Sequence, residues 1–371
     1  MGIVSTLRKQ AISGFEALHL LAVKYGEYRN IRIKENLCSK VTLTGEQEAE
    51  IKEYFREHYG KEIATSWHRL YQSYTGSYRV NYFPEILFST ELEPKLNDAT
   101  IAAFLGDKNL LYRLFGDVAN VHIPKTYGSC VNGILQDAGS AVVGFTGLMD
   151  MLNDIGSCVI KKTVDTSSGR DVALCDFCNG VDRKSGNSIA DVVASFGKNF
   201  VIQETICQSE ALAMLNRTSV NTFRVMSYIC DESIKICPIA LRLGRSNADR
   251  DNIHYGGICI GIKPDGALRK QAFSEYGEAF DAHPDTGVVF HNYKIPGAES
   301  LAASAKRLHA RIPYLKIISW DLTLDQNGVV TLIEMNTVGQ SAWFPQMVNG
   351  EPLFGEDTPA MLKIINRKKT N

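Results

Sequence analysis

The spacing of hydrophobic and polar residues changes character along the chain. From the start to about residue 100, apolar residues recur at helical spacing, and Thr44 and Gln47 form a capping box before a helix that runs to Gly60. Beyond that point, short helical patterns alternate with strand-like runs, so the pattern predicts an α+β body preceded by a helical N-terminal lobe. The predicted strands include VVGF at 142–145, CVIKK at 158–162, FVIQETI at 200–206 and TFRVMSYI at 222–229.

Two later apolar runs, 317–324 and 329–335, predict an antiparallel hairpin. They flank the sequence DQNG, whose Asn-Gly pair readily takes the positive φ angles of a tight turn. Asp321 then lies near the far end of the first strand, and Glu334 and Asn336 lie near the far end of the second. Glu334 and Asn336 are two residues apart, so they face the same side. The hairpin therefore gathers three oxygen-bearing side chains at one edge.

These three side chains allow two interpretations. Carboxylate and amide oxygens that converge at a strand edge suit Mg²⁺, which prefers octahedral oxygen ligation. An aspartate turn with an isolated glutamate is also common in ordinary hairpins, so the residues alone leave both interpretations open.

Composition narrows the class of protein. The chain has 371 residues, 44% of them hydrophobic and 22% charged, which is enough for a sizeable core divided into two or three lobes. The formal net charge is −1 and no long basic block appears, so nucleic acid is not an expected partner. No apolar run near the start is long enough for a transmembrane segment, and no secretory cleavage pattern follows it. A cytoplasmic protein is expected.

Four segments of the body have features of a nucleotide site. Lys161 ends a predicted strand before a loop of small residues at 163–170, an arrangement that can bind phosphate, although a solvated lysine beside a plain hairpin is the alternative. The apolar run that ends in Gln203 has polar residues after it, whose backbone can bond an adenine edge. Arg224 and Arg242 each lie inside an apolar strand. A buried arginine needs an anionic partner, and a protein carboxylate or a phosphate would serve.

The order and spacing of these segments resemble the ATP-grasp superfamily. Its C-terminal signature D-x12-E-x-N is met by Asp321, Glu334 and Asn336. The chain is similar in particular to the sugar-transfer associated ATP-grasp branch, over about residues 40 to 355. The segments that carry this similarity are YFPEILFSTELEPKLND (82–98), GDKNLLYRLF (106–115), SVNTFRV (219–225), ALRLGRS (240–246) and DNIHYGGI (251–258).

The resemblance implies an ATP-grasp fold, with two α+β lobes that clasp ATP, and the cofactors ATP and Mg²⁺. We expect the helical lobe at 1–95, the first ATP-grasp lobe at 96–205 and the second, with the metal site, at 206–371. The implied phosphate contacts are Lys108 and Lys161. The implied adenine and ribose contacts are Gln203, Glu204, Ile206 and Glu210. The implied metal ligands are Asp321, Glu334 and Asn336, and the implied catalytic cations are Arg224 and Arg242.

The implied activity is that of a ligase that joins a carboxylate to an amine through an acyl phosphate, on a small acid such as an amino acid or a uronic-acid sugar, in glycan or secondary metabolism. A small-molecule kinase that transfers phosphate to a hydroxyl is the alternative, and a nucleotide-binding scaffold for glycosyltransferases is a third reading that the intact metal triad disfavours. We expect a small-molecule acid and an amine or sugar as partners. His254 is interpreted as a loop histidine bonded to backbone, with contact to the nucleophile as the alternative.

Overall fold

The computed structural model describes residues 2–163, 171–246 and 251–366, with side chains from residue 18 onward. It contains helices and two antiparallel sheets, which confirms the α+β class. The helices are α1 (Gly2–Ile33), α2 (Glu35–Cys38), α3 (Gly45–Tyr59), α4 (Ser66–Thr75), α5 (Glu85–Leu87), α6 (Glu93–Leu96), α7 (Ala99–Leu105), α8 (Leu111–Phe115), α9 (Phe145–Ile155), α10 (Ile189–Ser195), α11 (Glu210–Leu215), α12 (Leu301–Ala310), α13 (Trp343–Asn349) and α14 (Thr358–Asn366).

The strands of the first sheet are β1 (Thr126–Val131), β2 (Ile134–Asp137), β3 (Ser157–Lys162), β4 (Val172–Cys178), β5 (Val181–Asp182) and β6 (Phe200–Gln203). The strands of the second are β7 (Thr222–Cys230), β8 (Ser233–Ile236), β9 (Ala240–Leu243), β10 (Ile258–Ile262), β11 (Leu268–Phe273), β12 (Ala279–Phe280), β13 (Ile317–Leu324) and β14 (Val330–Asn336). The first sheet has the order β2-β1-β6-β3-β4-β5 and the second β12-β11-β10-β9-β7-β13-β14, with β8 beside β7. Among the described residues, every helix is too short or too polar to span a bilayer.

The capped helix predicted near the N-terminus is α3. The Thr44 hydroxyl accepts a hydrogen bond from the Gln47 N–H at 3.1 Å, and the Gln47 side chain accepts one from the Thr44 N–H at 3.0 Å. The helix ends at Gly60, whose φ of 83° lies in the left-handed region that glycine adopts at low cost. Both ends are therefore set by local sequence, as expected.

The second sheet has one apolar face and one mixed face. On β13, Ile318, Trp320 and Leu322 enter the core that α12 covers. The alternate residues of β13 point the other way, and Ile317 there packs with helices of the N-terminal segment. This second face also carries Asp321, which is 4% exposed. Helices of the N-terminal segment thus cover the part of the mixed face around Ile317, next to the polar part that carries Asp321.

The first sheet alternates in the same manner. Ile160 and Ile202 point into a separate core with helices α9 and α10. Lys161 pairs with Val201 across β3 and β6, and Gln203 lies two residues further along β6, so Lys161 and Gln203 share the opposite face. The polar faces of both sheets therefore carry several of the residues that the resemblance implicates, among them Lys161, Gln203 and Asp321.

Two predicted strands differ from the structure. In 142–145 only Val142 forms an isolated bridge, and Phe145 already begins α9, because Leu148 and Leu152 of that helix are needed in the core of the first sheet. In 200–206 the strand stops at Gln203, and the Glu204 N–H instead donates to the Lys125 carbonyl at 2.9 Å. Residues 164–170, most of the small-residue loop expected after Lys161, lie outside the described part of the chain.

The C-terminal hairpin is present, but its turn differs in detail. Gly328 has a φ of 74°, whereas Asn327 is not among the described residues with positive φ. The Asp325 carboxylate explains the difference, because it accepts hydrogen bonds from the N–H groups of Asn327 at 2.8 Å and Val329 at 2.9 Å. The side chain of Asp325 therefore shapes a three-residue loop in which only the glycine is left-handed.

Candidate functional site

Two largely buried arginines converge on Asp321 from neighbouring strands. Arg224 lies opposite Asp321 across β7 and β13, with Nε 2.6 Å from Oδ1 and Nη2 3.3 Å from Oδ2. Arg242 on β9 places Nη2 3.1 Å from Asp321 Oδ2. The sequence left the anionic partner of these arginines open, and the structure supplies a protein carboxylate.

A second carboxylate, Asp251, completes this arginine cluster (Arg224, Arg242, Asp251 and Asp321). Asp251 Oδ2 lies 3.5 Å from Arg242 Nε and accepts a hydrogen bond from the Thr222 N–H at 3.1 Å. The Thr222 hydroxyl accepts from Arg242 Nη2 at 2.6 Å. Sequence reasoning missed Asp251. Its segment was noted only as part of the resemblance, and spacing does not encode its contact with Arg242.

The negative charge of Asp321 and the positive charges of the two arginines stabilise each other. Burial alone would raise the pKa of Asp321, but the positive charges of Arg224 and Arg242 hold that pKa below its usual range. Burial opposes the charge of Arg242, and Asp251 and Asp321 nevertheless raise its pKa above the usual value. Asp321 therefore stays ionised throughout the ordinary pH range.

Glu334 and Asn336 lie beside Asp321, as the hairpin predicted. Across β13 and β14 Asp321 pairs with Glu334, and Ser319 pairs with Asn336, so all four share a face. The Asn336 amide donates to Asp321 Oδ2 at 3.3 Å. Glu334 is 34% exposed, and its Oε1 lies 3.1 Å from the Lys108 ammonium. The three oxygen-bearing side chains do gather at one edge of the sheet.

Two lysines approach this edge from different elements. Lys108 begins a 3₁₀ turn, Lys108–Leu110, which the Asp107 side chain caps by accepting from the Asn109 N–H at 2.9 Å. Lys161 comes from the first sheet. Burial lowers the pKa of Lys161 to about 8, while Glu334 opposes the shift and Lys108 adds to it. Two cations on separate elements thus lie close to one carboxylate.

The segment after β6 offers backbone groups. The Gln203 side chain is 2% exposed. The carboxylate of Glu204 accepts from the Lys125 N–H at 3.1 Å, and the N–H of Glu204 is committed to the Lys125 carbonyl. The Glu204 N–H is therefore not available to an adenine edge, whereas the Glu204 carbonyl and the Ile206 N–H remain the backbone groups that the resemblance implies for this contact.

Glu210, the residue implied for the ribose, lies at the start of α11. Its carboxylate is exposed and forms an ion pair with Arg217. A ribose contact would have to compete with this surface pair, which is worth at most about 1 kcal/mol.

Several buried polar atoms around Lys108 and Asn336 make no hydrogen bond within the described residues. They are both amide atoms of Asn109, the Thr163 hydroxyl and the Ser319 hydroxyl. Buried polar atoms are normally satisfied, and a phosphate or a hydrated ion supplies such partners. Carboxylate and amide oxygens are also the donor set that a hard divalent cation prefers. The residues present therefore fit a nucleotide with Mg²⁺.

Two buried glutamates that sequence reasoning did not single out hold the loop after β14. Glu93 accepts from the N–H groups of Gly339 at 3.1 Å and Gln340 at 3.0 Å. Glu85 accepts from the Ala342 N–H at 3.0 Å. Burial raises the pKa of Glu93 to about 7, and the backbone N–H groups partly offset that rise. The available signal was weak: two glutamates, eight positions apart, inside the apolar segment 82–98.

Comparison with solved structures finds several enzymes at low similarity. Biotin carboxylase from Campylobacter jejuni is 13% identical, with a TM-score of 0.41 over 72% of this chain and 47% of that one. L-amino acid ligase from Bacillus licheniformis is 11% identical, with a TM-score of 0.37 over 70% and 48%. N5-carboxyaminoimidazole synthetase from Staphylococcus aureus is 9% identical, with a TM-score of 0.36 over 64% and 45%. The chain spans about half the length of these structures, and similarity this low says nothing about its substrate.

A search of curated proteins found no match. Residues 87–360 match the family model for sugar-transfer associated ATP-grasp proteins. This match covers most of the chain and includes the arginine cluster, both lysines and the C-terminal hairpin. The protein therefore belongs to the sugar-transfer associated ATP-grasp family.

Proposed function

We propose that the protein is an ATP- and Mg²⁺-dependent ligase that joins a carboxylate to an amine through an acyl-phosphate intermediate. The observation that supports this proposal is the convergence of two largely buried arginines beside two lysines. Four cations, Lys108, Lys161, Arg224 and Arg242, lie among three carboxylates, Asp251, Asp321 and Glu334. The excess positive charge favours a site that takes both nucleotide phosphates and a substrate anion.

In this proposal the two sheets hold ATP between their polar faces. Lys108 and Lys161 contact the phosphates. The Glu204 carbonyl and the Ile206 N–H bond the adenine edge beside Gln203, and Glu210 bonds the ribose. Because the pKa of Lys161 is about 8, this lysine is charged at neutral pH. The lysines attract the phosphates as point charges, whereas the hydrogen bonds with residues 204 and 206 orient the adenine.

Asp321, Glu334 and Asn336 would hold Mg²⁺ at the edge of the second sheet. When bound, the ion would neutralise charge on the nucleotide phosphates. Glu334 is paired with Lys108, and Asp321 with the two arginines, so cations lie directly beside the proposed ion site.

Arg224 and Arg242 position the groups that react. An oxygen of the substrate carboxylate attacks the terminal phosphorus of ATP, the bond to ADP breaks, and an acyl phosphate forms. The amine nitrogen then attacks the acyl carbon, and inorganic phosphate leaves with the bonding electrons. Arg224 and Arg242 can span two oxygens at once because the guanidinium is planar, and they align the carboxylate with the phosphate. A neutral sugar hydroxyl, the acceptor of a kinase, makes less use of two guanidinium groups.

We propose a small acid as substrate, either an amino acid or a uronic-acid sugar, with an amine or amino sugar as its partner. The association of this family with sugar transfer supports the sugar acid. The reaction would then contribute an amide to a glycan or a secondary metabolite.

Product analysis with a surrogate nucleophile tests the proposal. Purified protein is incubated with ATP, Mg²⁺ and a panel of amino acids and uronic acids in the presence of hydroxylamine, which captures acyl phosphates as hydroxamates. We expect hydroxamate, ADP and phosphate in equal amounts, and an amide when ammonia, glycine or glucosamine replaces hydroxylamine. A phosphorylated substrate without hydroxamate would identify a kinase. ATP binding without any turnover would favour a scaffold.

A further inference from the structure

His254 forms a dyad with a carboxylate. Its Nδ1 lies 2.8 Å from Glu275 Oε2, and its backbone N–H donates to the Asn252 side chain at 2.9 Å. The interpretation of His254 as a ring bonded to backbone is therefore wrong. A carboxylate only accepts hydrogen bonds, so Nδ1 carries the proton and Nε2 presents its lone pair. The side chain is half exposed, so solvent or a substrate can reach the ring.

The orientation of this dyad is built into the fold. Glu275 is 13% exposed, and its Oε1 lies 3.2 Å from the ammonium of Lys34, which is 7% exposed. That ammonium also lies 3.8 Å from the centroid of the Trp343 ring. Burial alone would raise the pKa of Glu275, but the hydrogen bond from His254 and the charge of Lys34 hold that pKa below its usual value. Glu275 therefore stays ionised and fixes the tautomer of His254.

The dyad lies beside the arginine cluster. Asp251, which contacts Arg242, precedes His254 by three residues, a separation of at most about 10 Å along the chain. Across the sheet Arg242 pairs with Cys259, and Cys259 pairs with Phe273, two residues before Glu275. His254 thus borders the arginine cluster on the side away from β14 and Glu334.

A second line of contacts reaches the dyad from α13. The Arg224 guanidinium lies 5.4 Å from the centroid of the Phe344 ring, and the neighbouring Trp343 ring lies 6.4 Å from that of His254. The ring of Trp343 therefore packs beside both His254 and Lys34.

We propose that His254, oriented by Glu275, is the base that accepts the proton of the incoming nucleophile. This inference rests on the proposed ligase function. As the amine nitrogen attacks the acyl carbon, the C–N bond forms, the bond from the acyl carbon to the phosphate oxygen breaks, and phosphate leaves with the electron pair. One N–H proton of the resulting ammonium passes to His254 Nε2, and Glu275 stabilises the imidazolium. Removal of that proton prevents the amine from leaving again.

The test compares two nucleophiles in the full-length protein. Hydroxylamine is largely unprotonated at neutral pH, and the N–H proton that it loses after attack is acidic enough to pass to water, whereas the proton of a more basic ordinary amine needs a base. We expect His254→Gln to reduce kcat with the best amine of the panel by roughly 100-fold, while hydroxamate formation stays at the wild-type rate. Glu275→Gln should give the same pattern with a smaller loss. His291→Gln, at an exposed histidine, is the matched control.

The pH profile separates a base from a structural residue. Within the described part of the chain, the charged groups near His254 include Glu275, Lys34, Asp251 and Arg245, and Tyr74 and Cys259 lie near Glu275. In the wild type, kcat with the amine should depend on pH more steeply than kcat with hydroxylamine, and His254→Gln should remove this difference.

Three results would overturn the inference. One is amine turnover by His254→Gln equal to that of the wild type. Another is an equal loss with both nucleophiles, or a lower melting temperature that accounts for the loss, which would make the residue structural. The third is a wild-type protein that forms no hydroxamate with any acid, in which case the proposed function fails first and the base has no reaction to serve.

Discussion

Asp321 and Glu93 are both buried carboxylates near Asn336, and the fold neutralises them in opposite ways. Asp321 is bonded by two guanidinium groups, whereas Glu93 is bonded by two backbone N–H groups of the loop that follows β14. Their pKa values move in opposite directions: that of Asp321 is lowered, and that of Glu93 is raised to about 7.

This difference gives different roles to the two sides of the site. The strand side holds Asp321 and its arginines, and the loop side holds Glu93 and the backbone that Glu93 bonds. On the strand side, the buried pairs that Asp321 forms with Arg224 and Arg242 keep their charges at ordinary pH. On the loop side, Glu93 accepts hydrogen bonds from backbone N–H groups and pairs with no cation among the described residues, and its protonation is linked to folding. Substitutions on the strand side should therefore affect chemistry more than stability, and substitutions on the loop side should do the reverse.

The strand side is tested most strongly by Glu334→Gln, which is nearly isosteric but removes a charge from the proposed metal site. We expect turnover to fall by roughly 1,000-fold, with loss of the Mg²⁺-dependent stabilisation by ATP and an unchanged melting temperature without ligand. Steady-state kinetics and thermal melts with and without Mg-ATP measure this. Glu356→Gln, at an exposed glutamate, is the control. A lower melting temperature with normal turnover per folded molecule would make Glu334 structural.

Arg242→Lys should be the next largest effect. A lysine keeps the charge but loses the planar fork, so we expect kcat to fall by roughly 100-fold with little change in the KM for ATP. Arg311→Lys, at an exposed arginine, is the control. Equal turnover in Arg242→Lys and the wild type would refute the bidentate role of this arginine.

Lys161→Ala should weaken ATP binding by about tenfold at neutral pH without unfolding the protein. The advantage of the wild type should shrink as the pH rises through about 8, because Lys161 then loses its charge. Bound phosphate stabilises that charge and shifts the loss to somewhat higher pH. Titrations with a non-hydrolysable ATP analogue across this range, with Lys198→Ala as an exposed control, measure the effect. Equal affinity in the two proteins at neutral pH would remove Lys161 from the nucleotide site.

Glu93→Gln should give the smallest effect and tests the loop side. A carboxyl whose folded pKa is raised from 4.5 to about 7 contributes stability that is fully present below 4.5 and is lost as the pH rises through about 7. The wild-type melting temperature should therefore fall between about pH 4.5 and pH 7, and that of Glu93→Gln should fall by about 3 °C less. Glu48→Gln is the exposed control. Parallel pH curves for Glu93→Gln and the wild type would show that Glu93 does not titrate with folding.

Local patterns predicted much of the fold. The capping box of α3, the strand containing Arg224 and the hairpin register of Asp321 with Glu334 follow from spacing of one to four residues or from period-two alternation. The prediction failed at 142–145, where two valines suggested a strand but the core of the first sheet required the helix that starts at Phe145. Short apolar runs cannot distinguish these outcomes.

The residues of the candidate site also fall into a group that the sequence identified and a group that it did not. The oxygen-bearing side chains, lysines and arginines of the site were identifiable because they stand in segments with a recognisable order. The residues that these side chains contact in the folded protein were not identifiable from the sequence. Asp251 beside Arg242, Glu275 beside His254 and Lys34 beneath Trp343 are contacts between elements that no local spacing relates.

The sequence by itself determined the capped helix, the hairpin that carries Asp321, and the family. Only the tertiary structure decided which charges neutralise one another. Arg224 and Asp321 are 97 residues apart, and Glu93 and the Gln340 N–H are 247 apart. Local conformational preferences act over a few residues, whereas a buried charge takes whichever partner the packed sheets and helices bring within reach, and that choice exists only after the chain has folded.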